Sequence, residues 1–254
     1  MVATLVAAPA PHALPRVERR IAAAEARQGA ASDGSFVYAI DSQRIAKYAI
    51  ATGRRVASWS GDPKRFPHLN SCTIVGRELV CAASNYPALP QASSVETFDA
   101  ARLVHLRSVS LGARPGSLTA LDRHRGQWWA VFANYDGRGG QPGHDHRSTL
   151  LVRMDDAFRQ IEAWTFPPGV LERLAPNSVS GASWTADGRL TVTGHNRPEL
   201  YVVVVPRAGR VLHHVTTVPT ATPGQAIDWD PRDPKLLWSI DRKRREIVVS
   251  RPGL

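Results

Sequence analysis

The feature that most constrains the fold is a recurring group of four strand-sized segments. Short apolar or alternating segments follow one another along the chain, separated by turn signals such as Asp33-Gly34 and Asp187-Gly188, and no long segment has a helical period. The segments form five groups, which span residues 29–59, 71–110, 117–166, 181–218 and 225–250. Four strands in each unit, repeated about every 40–50 residues, predict an all-β, five-bladed β-propeller.

The fifth group contains only three strand segments before the chain ends. The N-terminal stretch from Arg16 to Ala24 can supply the missing fourth strand, which would close the ring and hide its edges. Residues 16–27 are also rich in Ala, Glu and Arg, so a helix is the other interpretation of that stretch. A β-sandwich is the alternative fold, but it does not explain the regular four-strand period. We therefore predict one propeller domain, residues 16–254.

Residues 1–15 form a separate short segment. An apolar stretch followed by small residues resembles the second half of a signal peptide, although the basic residues that usually precede it are missing. The prediction is a loose tail or the remnant of a signal peptide. Export, for example to a periplasm, is favoured, and a cytoplasmic location is the alternative.

The only two cysteines lie on either side of a short turn. A two-residue turn at Gly76-Arg77 pairs Val75 with Glu78 and, counting outward, Cys72 with Cys81. Glycine as the first turn residue suits a type II′ hairpin. The cysteines then occupy a non-hydrogen-bonded pair, in which Cα atoms are about 4.5 Å apart, within disulfide range. The prediction is a cross-strand disulfide if the protein is exported, and two thiols otherwise.

Net charge is +10, and only four of the 32 basic residues are lysines. The arginines are scattered, with one dense run at residues 242–245, whereas nucleic-acid binding needs clustered bases with stacking aromatics. We therefore predict no nucleic-acid partner. No apolar run approaches the ~18 residues that a membrane span needs. The absence of a P-loop or dinucleotide-binding fingerprint predicts no nucleotide cofactor.

The lengths of the connections distinguish the two faces of the predicted propeller. The first-to-second and third-to-fourth strand connections are short, whereas the others include the long loops 61–69, 85–93, 134–148 and 167–180. Long loops on one face of a rigid scaffold indicate the functional face. The longest of them, 134–148, is predicted to form a lid or a wall.

Two sets of polar residues should meet at the axis on this face. The innermost strands begin with small polar residues, namely Gln28, Asn70, Ser117, Ser180 and Gln225. The second strands end nearby with Asp41, Asn85, Asn134, His195 and Asp241, and His68 precedes the second blade. A set that binds only ordered water is the simpler interpretation. The functional interpretation is that these side chains converge on a small ligand or ion.

His195 and His68 are the predicted catalytic residues, because an imidazole can act as acid, base or metal ligand. Both are also the tentative ligands of one divalent metal ion, with oxygen ligands suiting Ca²⁺ or Mg²⁺ and histidines suiting Zn²⁺ or Mn²⁺. The predicted substrate-binding residues are polar or aromatic, namely Gln28, Asn70, Asn85, Tyr86, Asn134, Tyr135, Asp136, Ser180 and Gln225. Glycoside hydrolysis by two carboxylates is disfavoured, because no innermost strand begins with an acid.

Several motifs together resemble a family of small bacterial and fungal propeller proteins that are often labelled cycloisomerase-like, and that are similar to lactonase-like propellers. The motifs are His-Leu-Asn-Ser (68–71), Ser-Asn-Tyr-Pro (84–87), Ala-Asn-Tyr-Asp-Gly-Arg-Gly-Gly (133–140), Thr-Gly-His (193–195), Pro-Glu-Leu-Tyr (198–201) and Gly-Gln-Ala-Ile-Asp-Trp-Asp (224–230). The resemblance covers roughly residues 26–251 and implies a small-molecule pocket on the propeller face.

The sequence therefore predicts an enzyme that acts on a small polar molecule, sugar-derived or lactone-like. The reaction class is acid–base isomerisation, elimination or hydrolysis, with amides orienting the substrate or stabilising an oxyanion. The alternative is a non-catalytic propeller that binds a ligand or a protein partner on the same face, because propellers host both kinds of function. The sequence makes no prediction of oligomeric state.

Overall fold

A computed structural model describes residues 13–113 and 116–254, so most of the predicted N-terminal tail lies outside the described residues. Five four-stranded antiparallel sheets are arranged in a ring, which confirms the five-bladed propeller. Blades 1 and 2 contain β2 (Gly29–Ser32), β3 (Phe36–Asp41), β4 (Arg44–Ala49), β5 (Arg55–Ser60), then β6 (His68–Val75), β7 (Glu78–Ser84), β8 (Ser93–Asp99) and β9 (Val104–Gly112). Blades 3 and 4 contain β10 (Ser117–His124), β11 (Gln127–Ala133), β12 (Leu150–Met154), β13 (Gln160–Thr165), then β14 (Gly181–Trp184), β15 (Leu190–Thr193), β16 (Glu199–Val204) and β17 (His213–Pro219).

Blade 5 combines both ends of the chain. It contains β18 (Asp228–Trp229), β19 (Leu237–Asp241), β20 (Glu246–Arg251) and, outermost, β1 (Arg16–Ala22). β1 pairs antiparallel with β20, so the stretch with helix-like composition is a strand. Pairing with β20 determines its conformation, because local propensity is weaker than tertiary context.

The first strand of blade 5 is shorter than the predicted segment 225–229. Gln225 has a positive φ of 76°, which bends the chain. Ala226 then pairs with Gly29 of blade 1 in a parallel bridge and donates its N–H to the Gln28 carbonyl at 2.9 Å. The start of this segment therefore joins blade 5 to blade 1 instead of extending β18.

One buried apolar cluster fills each of the five interfaces between neighbouring blades. Burial of these side chains stabilises the closed ring. Blades 5 and 1, for example, share Ile240 and Trp238 with Val37 and Tyr48. The other four clusters join blades 1 and 2, 2 and 3, 3 and 4, and 4 and 5. The outermost strands alternate between exposed and partly buried residues, as expected for strands at the solvent-exposed edge of a sheet.

Small residues let the innermost strands approach the axis. A Cβ atom at Gly29 would lie 2.4 Å from Ala226 Cβ, and one at Gly181 would lie 2.6 Å from the Gln225 carbonyl oxygen. Real Cβ atoms do not approach this closely, so glycine is required at both positions. The same crowding places Gln225 beside the axis, where the site described below lies.

A disulfide joins Cys72 and Cys81 across the β6–β7 hairpin, with a Cα–Cα distance of 4.0 Å. The register pairs Val75 with Glu78 and Cys72 with Cys81, as the turn at Gly76-Arg77 predicts. Both cysteines are buried in the cluster between blades 1 and 2. A disulfide suggests an oxidising, extracellular environment.

The described residues also contain two short helical elements that the sequence pattern does not predict, a 3-10 helix at His146–Ser148 and one α-helix. Helix α1 (Pro168–Leu174) lies in the long connection between blades 3 and 4 and buries Val170, Leu171 and Leu174 against both blades. Within the described residues, no helix has the length and apolar character of a membrane span.

Candidate functional site

A cavity of about 450 Å³ opens at the axis on the long-loop face. Every blade contributes polar side chains to it. Its lining consists of Gln28, His68, Asn70, Tyr86, Thr119, Tyr135, Arg138, Asn177, Ser180, His195, Asn196, Pro223, Gly224, Gln225, Ile240, Arg242 and Lys243. Another cavity of about 400 Å³, near Trp229 and the C-terminus, is lined by no histidine. Of these two cavities, the axial one therefore contains the side chains that can transfer protons.

The starts of the innermost strands meet as the sequence predicts, with one exception. Gln28, Asn70, Ser180 and Gln225 line the cavity. Ser117 does not, and its hydroxyl donates to Ser84 Oγ at 2.8 Å. Asn70 is held from two sides, because its Nδ2 donates to the Leu118 carbonyl (2.7 Å) and to Ser84 Oγ (3.3 Å).

The ends of the second strands do not meet as predicted. Among Asp41, Asn85, Asn134, His195 and Asp241, the cavity lining includes only His195. For three of the other four positions, the next residue lines the cavity instead: Tyr86 and Tyr135, which the sequence also predicts, and Arg242. Successive side chains in extended chain point to opposite sides, so a one-residue offset decides which side chain faces the axis.

The residues outside the lining have other partners. Asn85 stabilises its own loop, since its Nδ2 donates to the Pro90 carbonyl and its Oδ1 accepts from Ala92 N. Asn134 is fully buried and donates to the Ser148 carbonyl. Asp136 accepts from both the backbone N–H and Nδ1 of His146.

A chain of two hydrogen bonds positions His68 in the cavity. Its Nδ1 shares a hydrogen bond of 3.0 Å with Ser42 Oγ, which in turn accepts from Gln28 Nε2 at 3.1 Å. Burial lowers the pKa of His68 to about 4, and the positive charge of Arg242 adds to this effect. The imidazole is therefore uncharged at neutral pH.

His195 occupies the corresponding position in blade 4, directly after Gly194. A Cβ at Gly194 would lie 2.5 Å from Leu174 Cδ2, so α1 packs tightly behind this segment. The Nε2 atom of His195 is 3.4 Å from Ser180 Oγ, and its Nδ1 is buried and makes no hydrogen bond within the described residues. Burial lowers the pKa of His195 to about 4; the nearby Ser178 carbonyl raises it slightly and Arg242 lowers it further.

An aromatic wall connects the two histidines. The ring centroids of His68 and Tyr86 are 5.4 Å apart, those of Tyr86 and Tyr135 are 5.2 Å apart, and those of Tyr135 and His195 are 6.4 Å apart. A Cβ at Gly139 would lie 2.3 Å from the Tyr86 ring, so the loop 134–148 packs against this wall. Burial raises the pKa of the Tyr135 hydroxyl, which keeps it protonated at neutral pH.

Gln225 is the most constrained residue of the site. Its positive φ of 76° is uncommon for a residue with a side chain, and such strain concentrates at functional sites. The backbone is held there because Gln225 N donates to the Gly194 carbonyl (2.9 Å) and its carbonyl accepts from Thr193 Oγ1 (2.6 Å). The side chain is only 4% exposed, and its Oε1 accepts no hydrogen bond within the described residues.

The lining residues do not fit the predicted divalent metal site. They offer two imidazoles, amides and hydroxyls but no carboxylate, whereas a metal site normally uses at least three strong protein ligands. Arg138, Arg242 and Lys243 would also repel a divalent cation. Elsewhere in the described part of the chain, Asp136, Asp145 and His146 lie close together, but Asp145 pairs with Arg147 and His146 with Asp136. We derive no chemistry through a metal.

The opposite mouth of the axis contains two carboxylates. Ser183 Oγ lies 3.4 Å from both Asp122 Oδ2 and Asp228 Oδ1. Backbone N–H groups also hold the pair, since Trp184 N donates to Asp122 and Ser32 N to Asp228, each at 2.9 Å. Burial raises the pKa of both carboxyl groups, and Asp122 raises that of Asp228 further. The mouth is therefore stabilised when a proton is shared between the two groups.

Asp228→Asn should stabilise the protein at neutral pH, by on the order of 1 kcal/mol. A raised carboxyl pKa means that the folded state binds more protons, so wild-type stability falls as pH rises from about 3.8 through the folded pKa. The asparagine keeps an acceptor for Ser32 N and removes the repulsion with Asp122. Urea unfolding at pH 7.5 and pH 4 checks this: the advantage should be present at pH 7.5 and shrink at pH 4. A loss of stability at pH 7.5 would contradict the account.

Comparison with solved structures shows the fold alone. No protein-family model matches the sequence, and no curated protein sequence is detectably similar. A luciferin-regenerating enzyme aligns with a TM-score of 0.57 at 10% identity, covering 94% of this chain and 95% of that one. A PQQ-bound aldose sugar dehydrogenase from Streptomyces coelicolor aligns with a TM-score of 0.55 at 14% identity, covering 92% and 79%. A mitotic checkpoint complex chain aligns with a TM-score of 0.51 at 8% identity, covering 99% and 98%.

These neighbours include enzymes as well as a chain from a protein assembly, so they are compatible with either kind of function. The resemblance to cycloisomerase-like proteins is supported as far as the β-propeller fold, and no family name is confirmed.

Several lining residues are not among those that the sequence predicts, namely Thr119, Arg138, Asn177, Asn196, Arg242 and Lys243. Arg242 directly follows the last strand end, Asp241, and Arg138 lies in the loop predicted as a wall. The alternation of side chains along a strand could have identified Arg242. If Asp241 points away from the axis, the next residue in extended chain points toward it.

Proposed function

We propose that the protein is an enzyme that acts on a small polar molecule, sugar-derived or lactone-like, held in the axial cavity. The observation that carries the proposal is that two uncharged imidazoles, His68 and His195, line one cavity together with the amides of Asn70 and Gln225. A neutral imidazole accepts a proton at one nitrogen and donates from the other. The reaction class is isomerisation, elimination or hydrolysis by proton transfer.

Each group has a role that its contacts support. His195 serves as the base or acid through Nε2, the nitrogen that lies beside the hydroxyl of the cavity-lining Ser180, because its Nδ1 is buried. His68, oriented by Ser42, serves as the second proton-transfer group. Asn70 has its amide N–H groups fixed by the Leu118 carbonyl and Ser84 Oγ, and its Oδ1 accepts a hydrogen bond from a substrate hydroxyl. The Tyr86–Tyr135 wall excludes water on one side. The disulfide supports the further proposal that the protein acts after export, in an oxidising compartment.

Turnover of a panel of small lactones and sugar derivatives tests this proposal. The panel contains neutral and charged members, such as γ-butyrolactone, D-glucono-1,5-lactone and D-glucuronate, followed by NMR. We expect turnover of at least one member by the wild type and a loss of about 10²–10⁴-fold in His195→Gln. The control is His213→Gln, on exposed β17 and away from the cavity, which should retain full activity.

Two outcomes decide between the proposal and its alternative. Equal rates for wild type and His195→Gln would contradict a catalytic role for the imidazole. Members that bind without turnover would favour the alternative of a non-catalytic ligand-binding propeller.

A further inference from the structure

The charge distribution of the axial cavity is one-sided. Three cationic side chains, Arg138, Arg242 and Lys243, line it, and none of its lining residues is an aspartate or glutamate. In a cleft with low-dielectric walls, charges of one sign focus the field and attract the opposite sign. The cavity therefore has a positive potential, in addition to the two imidazoles.

The nearest carboxylates already have other partners. Asp41 binds Arg44 at 2.7 Å and Arg27 at 3.5 Å. Asp241 binds Arg244 at 2.9 Å and lies 3.8 Å from Arg20. The two predicted strand-end acids are therefore outside the cavity lining and pair with arginines that are also outside it.

The side chain of Arg242, in contrast, makes no hydrogen bond or ion pair within the described residues, whereas most arginines near it do. It lines the cavity while remaining exposed to solvent, and partial burial, together with the charge of Arg27, lowers its pKa. Asp41 attracts it without a hydrogen bond. A partly desolvated guanidinium with no protein partner has its five donors available for a ligand.

Gln225 gives a second, independent indication of a ligand. Its side chain is nine-tenths buried or more, it lines the cavity, and its Oε1 has no donor within the described residues. A buried acceptor without a partner costs free energy, because it has lost its hydrogen bonds to water. The strained backbone that places it there indicates that a hydroxyl or amine of the ligand supplies the missing donor.

We propose that the axial cavity binds a small hydroxylated anion of the sugar-acid or sugar-phosphate class, with its carboxylate or phosphate at Arg242 and a hydroxyl donating to Gln225 Oε1. Arg138 and Lys243 add positive charge at the rim. This inference rests on the proposed function, because it names the substrate class of the same site. Arginine suits either anion, since its planar donors bind carboxylate and phosphate in the same bidentate manner.

Such a ligand would also change the histidines. Burial is the main reason that the pKa values of His68 and His195 are low, and the charge of Arg242 lowers both further; the Asn70 side chain and Asp41 raise the pKa of His68, and the Ser178 backbone raises that of His195. An anion on Arg242 offsets its charge, so the pKa of each imidazole rises toward the neutral range. Proton transfer is most effective when the pKa of the base lies near the working pH. Substrate binding would thus prepare both groups for catalysis.

Calorimetry with matched probes at low salt tests the proposal. The affinities of D-glucuronate and glucose 6-phosphate are compared with that of D-glucose, which lacks their negative charge. The affinity of tartrate is compared with that of succinate, which lacks its hydroxyl groups. We expect at least one of the two sugar anions to bind about tenfold tighter than glucose, and tartrate to bind tighter than succinate. Whether glucuronate or glucose 6-phosphate binds better distinguishes a carboxylate from a phosphate ligand.

Arg242→Gln should weaken binding of the preferred anion about tenfold and leave glucose unchanged. Arg207→Gln is the matched control, because Arg207 is an exposed arginine in the β16–β17 turn, on the opposite face. Equal binding of anions and glucose, or no effect of Arg242→Gln, would overturn this inference and leave the proposed function standing. The absence of binding by every anionic probe would also overturn it, while turnover of neutral lactones decides the proposed function separately.

Discussion

Acidification from pH 6.5 to pH 4 should cost the folded protein about 3 kcal/mol for each of the two cavity histidines, relative to variants that lack them. The unfolded chain protonates its histidines near pH 6.5, whereas burial and Arg242 hold the pKa of His68 and of His195 at about 4 in the folded state. Between these values the unfolded state binds more protons. Stability is therefore complete above pH 6.5 and is lost as pH falls through this window.

The measurement is urea unfolding of the wild type and of the double variant His68→Gln/His195→Gln at several pH values from 7.5 to 3.5. The difference between the two proteins removes contributions of other groups, such as Asp122 and Asp228, whose raised pKa values act in the opposite direction. Glutamine keeps hydrogen-bonding capacity in an open cavity, so the variant should fold. His213→Gln, on β17, should follow the wild type. Parallel stability curves for the wild type and the double variant would contradict the account.

Reduction of the Cys72–Cys81 disulfide should destabilise the protein by about 2.5 kcal/mol. The cysteines are nine residues apart in sequence, and loop-closure entropy for a loop of this length gives a stabilisation of that order. Both sulfurs are buried between blades 1 and 2, so the folded state keeps its packing after reduction. The effect acts mainly on the unfolded chain, which becomes less restricted.

Urea unfolding with and without reductant measures this difference. The slope with denaturant should increase slightly on reduction, because the unfolded chain exposes more surface. The double variant Cys72→Ala/Cys81→Ala is the control, and its stability should not respond to reductant. Identical midpoints for the oxidised and reduced wild type would show that the crosslink contributes nothing.

Most of the fold follows from patterns within short stretches of sequence. The four-strand period depends on local alternation and turn residues, and the disulfide depends on counting outward from Gly76-Arg77. The departures occur where distant segments meet. Ala226 pairs with Gly29 of blade 1, and α1 forms because it packs between blades 3 and 4. Local propensity contains no information about either contact.

The sequence predicts which site residues begin the innermost strands, but not which residues at the ends of the second strands face the axis. Residues at the starts of the innermost strands, such as Gln28 and Asn70, face the axis because strand position alone places them there. At the ends of the second strands, a shift of one residue exchanges inward for outward side chains, so the predicted Tyr135 lines the cavity and Asn134 does not, and Arg242 takes the place of Asp241. The positive charge of the cavity depends on which arginines have carboxylate partners, and only three-dimensional contacts reveal that.

The most direct test of the central claim, that the axial cavity is the functional site, is the histidine NMR spectrum recorded against pH, with and without D-glucuronate and glucose 6-phosphate. We expect two of the nine histidines, assigned to His68 and His195 by their loss in the glutamine variants, to titrate with a pKa of about 4. In Arg242→Gln both pKa values should rise, and in the wild type both resonances should shift when one of the anions is added. Titration of every histidine near 6.5, or anion-induced shifts confined to other histidines, would contradict the account.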